Sequence, residues 1–370
     1  MDETLERNTR MRIFVITQKI DEDDDVLGFF VNWVRALSKE ADEVDVLCLA
    51  KGNYNLPKNV RIRSLGKENG NSKFFQAIKF YFYAFDSLCK ADGVFVHMAP
   101  EYVKALYPLN IFFRKPIVMW YAHIKVSKTA KWAIDHVNYI MTPSKESFEF
   151  DSPKVVSTGH GIDPDIFKPE PYVTKEPESI LSLSRISKVK RIETLIEAAK
   201  ILVYEKGKTN IRIDIYGKPA RAEDVQYLQD LRDRAIRYKL EKNVFWSGSV
   251  ANADAPDVYR KHSIFVRMQG GGGFGKTELE AMSIGIPAIL PAEVYKKDLG
   301  EYAEDLLFAE DDAEGLADRI DRVLRWSQER QTEYSKRVRD WVREKHNVKN
   351  LVHTIVVLFE KALDKNNVTL

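Results

Sequence analysis

Two segments in the C-terminal half of this chain have the residue types of a phosphate-binding site. Four consecutive glycines at residues 270–273 follow an apolar run and precede an amphipathic segment that starts near Gly275. Glycine lets a backbone approach a ligand closely, and the free N–H groups at the start of a helix favour an anion. Residues 185–191, directly after another apolar run, are rich in arginine and lysine. Such cations can stabilise the charge on a departing diphosphate.

The glycine-rich loop fits two phosphate-binding patterns. Its match to the P-loop pattern G-x-x-x-x-G-K-[ST] uses four residues: Gly270, Gly275, Lys276 and Thr277. A P-loop nucleoside triphosphatase also needs an acid at the end of a buried strand to hold Mg²⁺, whereas the next apolar run, 286–290, ends at Pro291. Residues 273–287 resemble instead the signature E-G-F-G-x-x-x-x-E-A-M-A-x-G-x-P of family-4 retaining glycosyltransferases (glycosyl transferases group 1). The longer pattern is favoured, and a P-loop NTPase or kinase remains the alternative.

Two further segments resemble the same family. Residues 159–169 resemble its N-G-V-D-x-x-x-F-x-P segment, with His160 in place of the asparagine. Residues 184–191 resemble its G-R-L-x-x-x-K-G loop, which assigns Arg185 and Lys190 to the donor diphosphate. The alternative for this loop is a solvated or nucleic-acid-binding patch. His123, after the apolar run 117–120, takes the place of a sugar-contacting histidine, and the alternative is a structural histidine.

The resemblance also implies a set of donor-binding residues. Glu280 is the position that accepts hydrogen bonds from the ribose hydroxyls, and two glycines at strand ends line the base pocket. The full set is Gly273, Phe274, Gly275, Lys276, Thr277, Glu280, Gly217 and Gly248.

The chain departs from the family pattern at Gly272, where the first glutamate of the signature is expected. That glutamate contacts the donor sugar in the family. Its replacement leaves three substitutes to consider: Gln269, Lys276 and Glu278. The other interpretations are that backbone amides of the four-glycine loop replace the carboxylate, or that the protein binds a nucleotide sugar without catalysis.

The apolar runs are continuous rather than alternating, as in parallel sheets that helices cover on both faces. They recur at residues 12–17, 44–49, 60–62, 94–96, 117–120, 139–141 and 155–156, and a second series starts at residue 180. The pattern predicts two doubly wound α/β domains. The resemblance implies a GT-B-like fold, in which two Rossmann-like domains face a cleft. We place an acceptor-side domain at 1–170, a nucleotide-sugar domain at 171–345, and a helix that crosses back to the N-terminal domain at 346–370.

Composition and charge narrow the class of partner. The 370 residues are 44% hydrophobic with a net charge of +2, so we expect no nucleic acid. Cys48 and Cys89 lie in apolar stretches without metal-ligand spacing, and we expect both in the core of a cytoplasmic protein. The acidic run 21–25 is unlike a calcium loop, so no metal is expected. No apolar run reaches about 18 residues, and residues 1–10 lack a hydrophobic signal core.

The segment 72–90 is predicted to be a helix rich in aromatic residues. Its large apolar members are Phe74, Phe75, Ile78, Phe80, Tyr81, Phe82 and Phe85. One interpretation is a helix packed between the sheet and a neighbouring element. The other is a peripheral contact of Phe74 to Phe85 with the inner face of a membrane or with a lipid acceptor.

Together these features predict a metal-independent hexosyltransferase of polysaccharide biosynthesis. It would move a sugar, with retention, from a nucleotide-diphosphate sugar to a hydroxyl of a glycan or lipid-linked glycan. The resemblance implies no cofactor, because the donor is a substrate; a UDP-sugar is the first expectation and a GDP-sugar the second. Arg185 and Lys190 would stabilise the leaving diphosphate, and closure of the domains would exclude water.

Overall fold

The computed structural model describes residues 11–123, 126–148, 150, 152–291 and 293–368. The segment 1–10, on which the expected lack of a signal core rests, lies outside these ranges. The chain divides into two compact units, Met1–Gly161 with Asn347–Leu370, and Ile162–His346. The second unit begins before the predicted boundary at residue 170, because Ile162 and Phe167 are buried in its core.

The first unit is built on a parallel sheet. Its elements are, in chain order, β1 (Arg12–Ile20), α1 (Phe29–Leu37), β2 (Glu43–Lys51), β3 (Val60–Ser64), α2 (Lys73–Lys90), β4 (Gly93–His97), α3 (Pro100–Phe113), β5 (Ile117–Trp120), α4 (Lys128–His136), β6 (Tyr139–Thr142) and β7 (Val155–Ser157). Within the described residues these strands form one seven-stranded sheet in the order β3-β2-β1-β4-β5-β6-β7. The central predicted strands are largely buried because helices cover both faces of the sheet, whereas the edge strands β3 and β7 are partly exposed. Cys48 of β2 is buried, but Cys89 of α2 is exposed, so the expectation for Cys89 was wrong.

The second unit repeats this architecture with a smaller sheet. Its elements are β8 (Ser179–Leu183), α5 (Ile192–Tyr204), β9 (Arg212–Tyr216), α6 (Ala222–Arg237), β10 (Val244–Gly248), α7 (Ala255–Lys261), β11 (Ile264–Val266), α8 (Lys276–Ile284), β12 (Ala288–Ile289), α9 (Lys296–Leu299), α10 (Ala303–Leu306), α11 (Ala313–Leu324) and α12 (Gln328–Lys345). The described part of this unit holds a five-stranded parallel sheet in the order β10-β9-β8-β11-β12.

The last helix, α13 (Val348–Val368), is part of the first unit. Leu351, Ile355 and Phe359 are buried in the core that α13 shares with α1 and the sheet. The ring of Phe359 leaves no room for a side chain at Gly93 of β4. The apolar spacing of α13 is therefore explained by packing within this unit.

Each sheet reverses its strand order once, between β1 and β4 in the first unit and between β8 and β11 in the second. Ligands of open parallel sheets bind at the carboxyl ends of the strands at such a point. In the second unit this topology brings the loop after β8, residues 184–191, next to the loop after β11, residues 267–275. These are the two segments that the sequence selects for phosphate chemistry.

Gly217 allows the start of the β8 loop to lie close to the end of β9. Its amide donates a hydrogen bond to the carbonyl oxygen of Gly248 at 2.7 Å, which joins the ends of β9 and β10. Its φ is +148°, and a Cβ at this position would overlap the carbonyl oxygen of Ser184. The residue after Ser184 is Arg185, so the glycine also positions a predicted site residue.

We expect Gly217→Ala to lower the free energy of unfolding by about 3 kcal/mol, because the new Cβ must displace backbone and φ is strained. Gly207→Ala is the matched control, since its φ is +71° but no atom lies within 4 Å of the added Cβ. That control should cost about 1 kcal/mol. Urea denaturation measures both, and equal losses would show that the contact with Ser184 is unimportant.

Candidate functional site

Of the two predicted cations of the β8 loop, Lys190 lies against the glycine-rich loop, and Arg185 is exposed but close enough for its charge to act on Lys190. The ammonium group of Lys190 donates a hydrogen bond to Gln269 Oε1 at 2.7 Å, and Gln269 directly precedes the four glycines. Burial, together with the positive charges of Arg267 and Arg185, lowers the pKa of Lys190 to about 8, although Glu278 opposes this shift. The positive charge is therefore concentrated where an anion would neutralise it.

Arg267, the first residue after β11, fixes the shape of the glycine-rich loop. Its guanidinium group donates hydrogen bonds to the carbonyl oxygens of Gly271 at 3.1 Å and Gly273 at 3.3 Å. It also forms an ion pair with Glu278. The three glycines at 271–273 all have φ between 72° and 78°, which other residues rarely adopt. Arg267 thus holds a left-handed run of backbone in one conformation.

Sequence reasoning missed Arg267. A charged residue directly after a buried strand, at the carboxyl end of a parallel sheet, was a usable signal of the kind that selected Arg185. The glycines next to it drew attention to the loop instead of to the side chain that holds it.

Glu278 caps the start of α8. One carboxylate oxygen accepts hydrogen bonds from the Gly275 amide and from Arg267, and the other accepts from the Thr277 hydroxyl at 3.2 Å. Burial alone would raise the pKa of Glu278, but Arg267 and the Gly275 amide together hold the pKa below its usual value. With 1% of its surface exposed, Glu278 is committed to the loop and is not a free substitute for the glutamate missing at Gly272.

Lys276, which is half-buried, and Glu280, which is buried, lie one turn apart on α8, and each acts electrostatically on the other. Tyr259 donates a hydrogen bond to Glu280 Oε2 at 3.0 Å. Burial raises the pKa of Glu280, and Lys276 opposes this shift. Burial also lowers the pKa of Lys276, and here Glu280 opposes. The predicted ribose-binding carboxylate is therefore held between a cation and a hydroxyl group.

Phe274 packs into the core of the second unit. Its ring lies 4.4 Å from that of Tyr295 and 4.9 Å from that of Trp341. The Tyr295 hydroxyl also donates a hydrogen bond to the carbonyl oxygen of Gly273 at 2.6 Å. The aromatic ring is thus an anchor for the loop, and the backbone of Phe274 is the part left for ligand contact.

A carboxylate from a distant segment contacts the start of the glycine-rich loop. Glu310 Oε1 accepts a hydrogen bond from the Gly270 amide at 3.0 Å and pairs with Arg191 at 2.9 Å. Glu310 therefore supplies negative charge to a loop that has glycine at position 272. No local pattern predicts this contact, because forty residues separate Gly270 and Glu310.

His123 lies in the first unit, after β5, whereas all other predicted site residues lie in the second. Its ring is exposed, with the ring of Tyr121 at 5.2 Å. In the same unit, two carboxylates of the acidic run, Asp21 and Asp24, pair with Lys19 at 2.9 and 2.7 Å. The residues that the structure describes contain no group of three or more His, Cys, Asp or Glu placed to hold a metal ion.

The chain is similar to known proteins in both sequence and fold. Residues 164–341 match the family model described as glycosyl transferases group 1. Mannosylfructose-phosphate synthase from Agrobacterium fabrum is 30% identical over 115 residues, which are 31% of this chain and 25% of that protein. Alpha-monoglucosyldiacylglycerol synthase from Streptococcus pneumoniae is 27% identical over 122 residues, 33% of this chain and 26% of that protein. The chain thus spans about a quarter of the length of these two relatives.

Similarity to solved structures extends over both units. HepE from Anabaena, in complex with UDP and glucose, has a TM-score of 0.71 and 15% identity, over 97% of this chain and 100% of that one. The predicted fold class, two doubly wound parallel-sheet units of the GT-B kind, is therefore confirmed.

The Arg267–Glu278 pair gives a stability test of the loop. We expect Arg267→Met to lower the free energy of unfolding by about 3 to 5 kcal/mol at pH 8, because it leaves a buried carboxylate without its cation. Adding Glu278→Gln should recover part of this loss. Without Arg267 the folded-state pKa of Glu278 should rise above its unfolded value, so the loss in the single variant should shrink as the pH falls toward 5.

Urea denaturation at the two pH values measures these differences. Arg221→Met is the matched control, since Arg221 forms an exposed ion pair with Glu223 in which both side chains are more than 70% exposed. It should cause no measurable change. A single variant as stable as the double variant at pH 8 would contradict the interpretation of Glu278 as a charge that needs Arg267.

Proposed function

We propose that this chain, whose residues 164–341 match the glycosyl transferases group 1 family, is a retaining, metal-independent hexosyltransferase. The proposed reaction moves a sugar from a nucleotide-diphosphate donor to an acceptor hydroxyl of a glycan or lipid-linked glycan. The bond from the anomeric carbon to the diphosphate oxygen breaks, and the acceptor oxygen bonds to that carbon on the same face. The acceptor proton passes to the departing diphosphate oxygen.

The observation that carries this proposal is the hydrogen bond between Lys190 and Gln269, which joins the two predicted phosphate-binding loops. In the proposal, Lys190 and Arg185 hold the donor diphosphate against the backbone amides at residues 273–277. These cations stabilise the leaving group as its negative charge grows. The start of α8 adds the favourable end of a helix dipole.

The remaining predicted residues have separate roles in this proposal. Glu280 accepts hydrogen bonds from the ribose hydroxyls, and Gly217 and Gly248 border the base. His123 contacts the transferred sugar from the first unit. A UDP-sugar is the donor we expect first and a GDP-sugar second, and HepE, of similar fold, was crystallised with UDP and glucose. Because Gly272 replaces a carboxylate, backbone amides of the glycine-rich loop take over contact with the sugar.

We expect Lys190→Ala to lower kcat by at least about a hundredfold with the preferred donor, because a fixed cation on the leaving group is lost. In the native protein, kcat/KM for the donor should fall as the pH rises through about 8, where Lys190 loses its proton in the free enzyme. Lys190→Arg should keep its charge and move this fall to higher pH. Steady-state kinetics over pH 6–10 checks both statements.

The same measurements separate the alternatives. A thermal-shift panel of UDP-, GDP-, ADP- and CMP-sugars, with ATP and Mg²⁺ as comparison, identifies the donor. Mg²⁺-dependent ATP hydrolysis that Lys276→Ala abolishes would support the P-loop interpretation instead. Donor binding without any product in mass spectrometry would support a non-catalytic binder, and a Lys190→Ala variant of normal kcat would refute the proposed role of this residue.

An exposed aromatic surface on the first unit bears on the acceptor. In α2 only one face is buried, at Phe80, Ala84, Ser87 and Leu88. Its other large apolar residues remain exposed, including Phe74 at 71% and Phe82 at 69%, and α3 adds Phe112 at 82%. The two helices are in contact, with the rings of Phe85 and Phe113 5.4 Å apart. Exposed apolar surface of this extent marks an interaction site.

We propose that this α2–α3 surface rests on an anionic bilayer, from which a lipid-linked acceptor is taken. Lys73 and Lys79 of α2 supply positive charge beside the aromatic residues, which is the composition of a peripheral membrane contact. One relative is named for a lipid product, a monoglucosyldiacylglycerol synthase. No helix in the described residues is long and apolar enough to cross a membrane.

Replacing Phe74, Phe82 and Phe112 together by serine should weaken vesicle binding by at least about tenfold, because three rings no longer enter the interface. Co-sedimentation with vesicles that contain a minority of anionic phospholipid measures this change, and added salt should weaken binding further. The control replaces exposed Tyr172, Val225 and Ile236 of the second unit by serine. The proposed surface would be contradicted if the two triple variants bound vesicles equally well. It would also be contradicted if the native protein bound zwitterionic vesicles as well as anionic ones.

A further inference from the structure

A polar cavity of about 280 Å³ lies in the second unit, away from the loops described above. One wall is a face of α12, and the rest comes from the turn between α8 and β12 and from the segment before β8. The lining includes Lys175, Gly285, Ser335, Lys336, Arg339 and Arg343. Helix α8 has its start at the glycine-rich loop and its end at this cavity, a length of about 13 Å at 1.5 Å per residue.

The charges around the cavity do not balance. Four cations line it, from Lys175, Lys336, Arg339 and Arg343, against one carboxylate, that of Asp340. Within the described ranges none of these four cations has a carboxylate oxygen within 4.0 Å, although most arginines of the same unit are paired. Like charges held together without partners destabilise a fold unless something else neutralises them.

Arg339 gives the second, independent observation. Its Nε atom is buried and has no hydrogen-bond partner. A buried donor without a partner is rare and costs free energy, so it calls for a physical reason. Burial, with Arg343 nearby, lowers the pKa of Arg339, and burial lowers that of Lys175. The cavity thus presents a half-buried arginine with an unused N–H group, beside the exposed cations Lys175, Lys336 and Arg343.

Gly285 packs closely against Ser335 in the wall of this cavity. Gly285 ends α8 with φ of +88°, and a Cβ there would overlap the hydroxyl of Ser335. Gln328, Gln331 and Thr332 also line the cavity from the same face of α12, and the Gln331 amide and the Thr332 hydroxyl donate to backbone carbonyl oxygens of Trp326 and Gln328. The lining therefore combines cations with neutral polar groups, and arginine is the side chain suited to hold phosphate oxygens.

We propose that this cavity binds a phosphomonoester, as a site separate from the donor diphosphate. The Arg339 and Arg343 guanidinium groups would hold the phosphate oxygens, and Lys175 and Lys336 would complete the neutralisation. The volume is at the lower limit of small-molecule pockets, so the phosphate carries at most a small organic group or belongs to a lipid headgroup that enters from the surface. The site does not depend on the proposed transferase activity.

Isothermal titration of the full chain with inorganic phosphate and with methyl phosphate, at constant ionic strength, tests the proposal. We expect saturable binding that weakens at least tenfold in Arg339→Gln and in Arg343→Gln. Arg337→Gln, on the same helix but paired with Glu301 outside the cavity, should bind as the native protein does. Lys190→Ala should also bind normally, which separates this cavity from the donor site. Phosphatidate vesicles as a third probe show whether a lipid headgroup uses the same arginines.

A thermal melt in phosphate-free buffer keeps the test informative if one variant folds poorly. Arg339→Gln should melt at or above the native temperature, because it removes a cation whose Nε atom is buried without a partner, and phosphate should no longer stabilise it. The proposal is overturned if no phosphate probe binds, if Arg337→Gln weakens binding as much as Arg339→Gln, or if binding disappears in Lys190→Ala.

Discussion

One buried guanidinium group determines the form of the candidate site. Arg267 draws the carbonyl oxygens of Gly271 and Gly273 toward itself and pairs with Glu278 at the start of α8. Because these carbonyl oxygens point toward Arg267, they do not face an anion bound at the loop and do not repel it. Because glycine alone tolerates three successive left-handed residues, the four-glycine run and Arg267 depend on each other. The loop is preorganised, which is what electrostatic stabilisation of a transition state requires.

The parallel sheet of the second unit explains why this loop meets the basic loop. Strands β8 and β11 are neighbours at the point where the strand order reverses, so their carboxyl ends open side by side. Lys190 reaches Gln269 because of that neighbourhood, although 79 residues separate them in the chain. Burial, with the added repulsion of Arg267 and Arg185, lowers the pKa of Lys190. A diphosphate in this position would relieve the repulsion between these cations.

The parts that sequence could predict are those that leave a local pattern. Continuous apolar strands identified both sheets, and the resemblance of the loop after β8 to a family motif predicted Arg185 and Lys190 as site residues. Contacts such as Glu310 with Gly270 leave no local pattern, because they depend on how distant segments meet. The aromatic composition of α2 left two interpretations open, because it fits a core helix as well as a surface one. Only the packing shows that Phe80 is buried while Phe74 is exposed. Arg267 is different, since its position carried a readable signal that the neighbouring glycines obscured.

The charges of α8 are difficult to explain by stability alone. From Glu278 to Ile284 this helix is buried, yet its first turns carry Lys276, Glu278 and Glu280. Apolar residues of similar volume commonly stabilise a core as well as or better than a buried ion pair does. Some charged groups destabilise the free protein and are neutralised when a ligand binds. Binding of that ligand then also raises the stability of the fold. The same reasoning applies to the cavity at the other end of α8, where the unpaired cations belong to α12 and to the segment before β8. In the two proposals, a bound anion would neutralise positive charge near each end of this one buried helix.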